Sequence, residues 1–337
     1  VSKHVTIRTV ARLAGTSPST VSAAFNPGSR ISPITREKII NAADQLGWRP
    51  DRRASALRKN TNSVIGMIYE VSRPFQSSLV DSVYAAAAKH DLEVVLAGGT
   101  EHHSELACLR LLLAERCRGL IVTGSSLANR YLEEAGRIIP TLTLARYSSA
   151  HNVDSVYSDP VEGERMAVQH LYELGHRHIF HIGGVKRSMA PEREKGYLSA
   201  MSDSGLIDLA HVLQCGDDTE AGVRGADLLT TGDHLPTAVT CYNDAVASGV
   251  ILRLRQYGFR IPQDISVVGY NDLTIAANPA FSLTTIRQDG YLLADKALEL
   301  LAARLSSDPL APSKEKTEIA VESHLVVRSS TGPVPEK

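Results

Sequence analysis

Three polar pairs, Ser125–Ser126, Asn243–Asp244 and Asn271–Asp272, each follow a short apolar run. Hydroxyls, amides and carboxylates at such points suit hydrogen-bonded recognition of a small ligand rather than bond breaking. A second set of hydroxyls, Ser17, Ser19, Thr20 and Ser22, lies in GTSPSTVSAAFNPGS, a stretch without lysine, arginine, aspartate or glutamate. Such short side chains can bond phosphate oxygens or base edges, but only over a short reach. The sequence offers no GxSxG, HExxH or paired-carboxylate motif, so catalysis is not expected. GGVKRS at 183–188 lacks the GxxxxGK(S/T) spacing of a phosphate loop. His178 and His181, in HRHIFH with His176, point to opposite faces of a strand, so no metal site is expected there. No cofactor is expected either.

The 337 residues suffice for two or three compact units, and 43% hydrophobic with 22% charged residues is an ordinary globular composition. The net charge of −1 hides an asymmetry. Residues 1–62 hold 11 Lys/Arg against 3 Asp/Glu, whereas the remainder holds 25 against 34. A basic first unit on an acidic body points to a polyanion partner for that unit alone. Cys108, Cys117, Cys215 and Cys241 are scattered without a CxxC pair, as expected of reduced thiols. No apolar run approaches a membrane span and residues 1–20 lack a signal-peptide core, so no membrane association and a cytoplasmic location are expected.

The elements that position the hydroxyls are short helices with explicit stops. Thr6 can cap the first helix, whose apolar face is Val10, Leu13 and Ala14, and Gly15 suits its left-handed end. Ser17 then caps a second helix with Pro18 at its first position, and Val21 and Phe25 face inward. Two short helices across a three-residue turn have the pattern of a helix-turn-helix. A third helix runs from Ser32 and Pro33 along Ile39, Ala43 and Leu46 to Gly47. After Pro50, Asp51 can cap a two-turn helix over 52–58, too short to be stable without a partner. Arg8, Arg30, Arg36 and the arginines at 52, 53 and 58 surround the neutral helix with backbone-attracting charge.

The polar pairs sit on a different architecture. From Ser63 onward, SVIGMIYE, LEVVLAGG, RGLIVTGSS, PTLTLARY, HIFHIGG, TAVTCYND and DISVVGYND have the composition of buried parallel strands. Amphipathic segments at 78–89, 104–116, 162–174, 192–203 and 244–257 alternate with them. Alternation of this kind implies parallel sheets, and about 275 residues call for two of them. In open α/β sheets, ligands sit beyond the carboxyl ends of the strands, where the three polar pairs lie.

The stretch TIRTVARLAGTSPSTVSAAFN…ISPITREKIINAADQLGWRPDRRASALR resembles the N-terminus of the LacI/GalR family of bacterial transcriptional repressors. The resemblance rests on V-A-x-x-A-G-x-S, T-V-S, LGWRP in place of the usual LGYRP, and the A-x-x-L hinge. It continues through VEGERMAVQHLYELGHRHIFHIGG, PTAVTCYNDAVASGVILRLRQYGFRIPQDISVVGYND and LTTIRQD, which look like the family's effector-binding core. It implies an all-α helix-turn-helix headpiece on an α/β two-lobed core of the type I periplasmic-binding-protein kind, with parallel sheets and three crossovers. The implied divisions are residues 1–48 for DNA binding, 49–62 for hinge and linker, and 63–337 for effector binding and dimerisation.

What the resemblance assigns is specific. Thr6, Ser17, Pro18, Ser19, Thr20, Ser22, Ala23 and Arg30 fall in the DNA-reading headpiece, with base contacts at Pro18, Ser19 and Ala23. Ala23 stands where many family members carry an arginine, and alanine can touch a thymine methyl instead. Arg53, Ala54, Leu57 and Arg58 fall in the hinge helix, Leu57 where the family wedges a leucine into the minor groove. Phe75, Gln76, Ser125, Asp159, Arg193, Asn243, Asn271 and Gln288 fall at the effector cleft, where Arg193 can hold two ligand oxygens in a fork. Two departures stand out: Asp218 replaces an aromatic after the fifth-strand GD, and Asn271-Asp272 replaces two acids. The implied partners are double-stranded operator DNA, a second copy of the chain, and a small effector: a sugar, a polyol or an acidic metabolite. The rival reading, a transporter's solute-binding protein, would need a signal peptide and no basic helix-turn-helix.

Overall fold

A computed structural model describes residues 5–25, 29–49, 63–184, 189–232, 235–307 and 315–335. Arg53, Ala54, Leu57 and Arg58, with the expected hinge helix, lie outside the described residues. The chain divides into two compact units, Val1–Asn62 and Ser63–Lys337. Among the described residues no helix is long and apolar enough to cross a membrane.

In the first unit, α1 (Ile7–Leu13), α2 (Pro18–Ala24) and α3 (Pro33–Gln45) are bounded by local chemistry. Thr6 precedes α1 in a reciprocal capping arrangement with Thr9. The Ser17 hydroxyl accepts from Thr20 N–H at 3.1 Å and that of Ser32 from Thr35 N–H at 3.2 Å. Gly15 and Gly47 both take positive φ where their helices stop. The helices close on Val10, Ala11, Ala14, Val21, Ala24, Ile39, Ala42 and Ala43. The expected face of α1 differs at one position: Leu13 is half-exposed, and Ala11 fills its place. Small residues at 11, 14, 24, 42 and 43 let short helices approach closely, and the Phe25 and Trp48 rings meet edge to face at 5.6 Å.

The second unit holds two six-stranded sheets. One contains β1 (Val64–Glu70), β2 (Glu93–Gly99), β3 (Leu120–Thr123), β4 (Thr141–Leu144), β5 (Asp154–Ser158) and β11 (Glu318–Val321), in the order β11-β5-β4-β3-β1-β2. The other contains β6 (Ile179–Gly183), β7 (His211–Gln214), β8 (Ala238–Cys241), β9 (Ser266–Asn271), β10 (Thr284–Gln288) and β12 (Ser323–Val326), in the order β12-β10-β9-β8-β6-β7. All neighbours are parallel except β12, which runs antiparallel to β10. The sheets are therefore not wholly parallel. The chain leaves β11 at Val321 and enters β12 at Ser323, so one residue carries it between sheets.

Each sheet carries its own helices. The first packs α4 (Pro74–Ala88), α5 (Glu105–Ala114), α6 (Asn129–Ile138) and α12 (Gly290–Leu305); the second packs α7 (Pro160–Glu173), α8 (Ala190–Asp203), α9 (Thr219–Thr231), α10 (Asp244–Gln256) and the short α11 (Thr274–Ala277). Because α7 follows β5 and α12 follows β10, the chain crosses between lobes at Asp159, Asp289 and Glu322. Three crossings at one edge leave the carboxyl ends of both parallel sets facing a common cleft. Gly222 and Gly249 bring α9 and α10 together, backbone against backbone, and fix where both helices begin at that cleft.

Candidate functional site

The first unit presents a hydroxyl-rich edge. Ser17, Pro18 and Ser19 are exposed, while Thr20, Ser22 and Ala23 are half-buried. The Ser17 hydroxyl lies 2.6 Å from that of Ser19 and 2.8 Å from that of Thr20, so three hydroxyls cluster at the start of α2. No acid lies in the first turn of α2 and no base in its last. Arg8, Arg12 and Arg30 are exposed nearby in sequence and Thr6 is exposed at the start of α1. Arg36 does not belong with them. Its guanidinium donates to the Ala24 and Ser29 carbonyls and to the Ser29 hydroxyl, so it holds the end of α2 to α3 instead of reaching outward.

In the second unit, a cavity of about 390 Å³ opens between the sheets. Arg73, Phe75, Gln76, Gly124 and Ala145 line it from the first lobe, and Arg193, Asp217, Asp218, Tyr242, Asn243 and Asn271 from the second. Gln288, at the crossing strand, also lines it. Its size suits a small metabolite.

Arg193 is the buried centre of this cavity. It leaves α8 at 5% exposure, stacks on Tyr270 at 3.6 Å from the ring centre, and donates to the Tyr242 carbonyl. Its Nη2 reaches Asn271 Oδ1 at 3.4 Å, and Gln288 Nε2 donates to the same oxygen at 2.8 Å. Asn271 and Asp272 both hold positive φ, costly for residues with a side chain. Arg287 and Arg328 clamp Asp272 at 2.6 and 2.7 Å, while Arg193 and Gln288 hold Asn271.

Several expected residues line the cavity with their polar groups already engaged. Gln76 Oε1 accepts from Glu70 N–H at 2.7 Å and its Nε2 donates to the Gly124 carbonyl at 3.3 Å, tying strand ends together. Asn243 caps α10, accepting from Val246 N–H at 2.8 Å, and donates to the Asp217 carbonyl at 2.7 Å. Asp218 caps α9 through Ala221 N–H at 2.7 Å. Two expected residues lie elsewhere. Ser125 is sealed in the first lobe, donating to Glu105 at 3.2 Å. Asp159 is exposed and caps α7 through Val161 and Glu162 N–H. Both sit at strand ends, but the side chain of one turns into its own lobe and the other serves its own helix.

The residues that sequence reasoning missed join the lobes. Arg73 of the first lobe meets Asp217 of the second at 2.5 Å, and 144 positions separate them. Burial lowers the Arg146 guanidinium against the pull of Glu105 and Glu192, which stand on opposite lobes. Behind Arg193, in the second lobe, Glu164 is buried with neither carboxylate oxygen in a well-formed hydrogen bond. Burial pushes it up to about 8, with Arg193 and the Thr240 hydroxyl pulling the other way. His181 beside it, 3.8 Å away, is driven down to about 3 by burial and by Arg193. Asp244 accepts from the Leu273 N–H and the Thr285 hydroxyl, and burial holds it up to about 7.

Comparison with known proteins adds sequence-wide similarity to this geometry. Residues 6–51 match the model of the bacterial regulatory proteins of the lacI family, and residues 168–331 match a periplasmic binding protein-like domain. The chain is 30% identical over 331 residues to the HTH-type transcriptional repressor PurR of Vibrio campbellii, covering 96% of this chain and 98% of that protein. A LacI transcriptional regulator from a Rhodococcus species superposes with a TM-score of 0.77 at 35% identity, over 81% of this chain and all of the other. The lac repressor dimer bound to operator and the anti-inducer ONPF superposes with a TM-score of 0.80 at 27% identity, over 98% and 100%.

Proposed function

The chain belongs to the lacI family of bacterial regulatory proteins, and on that premise we propose that it is a transcriptional repressor whose hold on operator DNA is set by a small metabolite between its two lobes. One conjunction carries the reading: a basic helix-turn-helix unit and a two-lobed core with a lined cleft occur in one chain. Likeness to a repressor dimer solved with operator and a small ligand supports it.

In this reading residues 1–48 read DNA, 49–62 form the hinge and 63–337 bind effector and a second copy of the chain. Two headpieces related by a twofold axis engage a pseudo-palindromic operator. Ser17, Pro18, Ser19 and Thr20 meet backbone and base edges, Ser22 and Ala23 sit deeper, and the Ala23 methyl faces a thymine methyl or a weakly specified pair. Thr6 bonds a phosphate oxygen, Arg30, Arg53 and Arg58 supply sequence-independent attraction, and Ala54 belongs with Leu57 to the hinge. Effector closure changes how the first lobes pack across the dimer and so orders or melts the hinge. Ligand and DNA then alter each other's affinity by the same factor. No catalytic step is part of this function.

Salt tests the DNA half directly. Raising salt between roughly 50 and 200 mM should weaken operator binding by about 10³-fold or more if six or more phosphates are contacted. A flat log–log plot of affinity against salt would remove the DNA assignment. Leu57→Ala should weaken operator binding on the order of 10²-fold, because the lost wedge no longer holds a kinked base step open. Gel retardation on a selected operator checks this, and normal retardation by the variant would place the wedge elsewhere.

A further inference from the structure

We infer that the effector carries an anionic oxygen group, a carboxylate or a phosphate, seated against Arg193 and the Asn271 amide, with hydroxyls beside it. This rests on the effector-regulated reading above and narrows its ligand.

Charge balance across the cavity carries the inference. Among the described residues its lining holds four charged ones: Arg73, Arg193, Asp217 and Asp218. Asp217 is matched by Arg73 at 2.5 Å. Asp218 is largely exposed; its Oδ1 caps α9, with Arg224 at 3.9 Å, and water screens the charge it keeps. Among the described residues Arg193 hydrogen-bonds only neutral acceptors, the Tyr242 carbonyl and the Asn271 amide oxygen, its Nε has no partner, and burial favours the neutral form of the Glu164 and Asp244 carboxyls near it. A guanidinium this deeply buried gains most from an anion.

The Asn271 amide points to the same chemistry. Two donors, from Arg193 and Gln288, converge on its Oδ1, which fixes the orientation of the group. Among the described residues its Nδ2 has no protein partner, so Asn271 offers the cavity donors and no free acceptor. An aspartate there would present acceptors and neutralise Arg193. Among the described residues no protein donor reaches Gln288 Oε1, and that atom can take a ligand hydroxyl. Donors from Arg193 and Asn271 beside one amide acceptor match a hydroxylated acid.

Matched probes test this on the full chain by isothermal titration and thermal shift. Gluconate is set against glucitol, galacturonate against galactose, and glucose 6-phosphate against glucose; acetate and inorganic phosphate at constant ionic strength serve as fragments. At least one anion should bind about tenfold or more tighter than its neutral counterpart. That preference should be lost in Asn271→Asp, whose circular dichroism and melting report that it folds. Which pair responds distinguishes carboxylate from phosphate. A neutral member binding as tightly as its anion, a preference that survives in a folded Asn271→Asp, or no binding by any probe at tens of millimolar would each overturn the proposal. A neutral polyol that binds and shifts operator affinity would overturn the anion while leaving effector control standing. An anion that binds without moving operator affinity would remove effector control and leave the anion site.

Discussion

Gly249→Ala should destabilise the two-lobed unit by about 3 kcal/mol, lowering its melting temperature by roughly 6–12 °C. A methyl at Gly249 would overlap the Thr219 carbonyl oxygen and stand 3.0 Å from the Gly222 α-carbon. Both obstacles are backbone, so neither can swing away as a flexible side chain would. The partner position is equally closed, since a methyl on Gly222 would strike the Val246 carbonyl. Relief requires α9 and α10 to separate, which opens the buried packing of Ala221, Val246 and Val250. It also moves the cavity wall. The Asn243 amide that caps α10 donates to the Asp217 carbonyl just before α9, and separation stretches that 2.7 Å bond. Gly232→Ala is the control: its methyl would meet only the Leu228 carbonyl at 3.6 Å, so stability should stay within about 0.5 kcal/mol. Calorimetry on the three proteins checks the pair, and equal melting of Gly249→Ala and wild type would mean the helices are not in backbone contact.

Local chemistry was legible in the sequence, and long-range chemistry was not. Ser17 with Pro18 and Ser32 with Pro33 mark helix starts because a cap and its N–H lie three residues apart. Apolar runs located β1, β2, β3, β4, β6, β8 and β9; all but β2 are mainly buried. The strands β7 and β11 at the sheet edges alternate or lie half-open, and nothing in four residues announces a strand there. The antiparallel run of β12 follows from the single-residue crossing at Glu322, which no local pattern records. Within the site, strand ends were legible as places but not as roles. Asn243 is at the cavity yet committed to a cap, Ser125 turns inward to Glu105, and Asp159 caps its own helix. Arg73 and Asp217 meet only because two lobes close on each other. Burial, not residue type, distinguishes Arg193 from the surface arginines.

Glu164→Gln should stabilise the protein progressively as pH rises. Its ordinary carboxyl value is 4.5, and burial lifts it to about 8 in the folded chain. Between those values the folded state keeps a proton that the unfolded state has released, so stability falls as pH rises through the window. Below about 4.5 both states are protonated and the contribution is fully present; it is lost as pH passes the folded value. Glutamine removes the titration. Apart from a constant offset, the variant should therefore gain on wild type by on the order of 3 kcal/mol between pH 4.5 and 7. His181 does not disturb the comparison, because burial keeps it neutral above about 3, and the variant leaves Asp244 unchanged. Urea unfolding at several pH values gives the two curves. Parallel curves would mean that Glu164 is ionised at neutral pH and serves as the counter-charge of Arg193. Arg193 would then no longer lack an anion, and the charge argument for an acidic effector would fall with it.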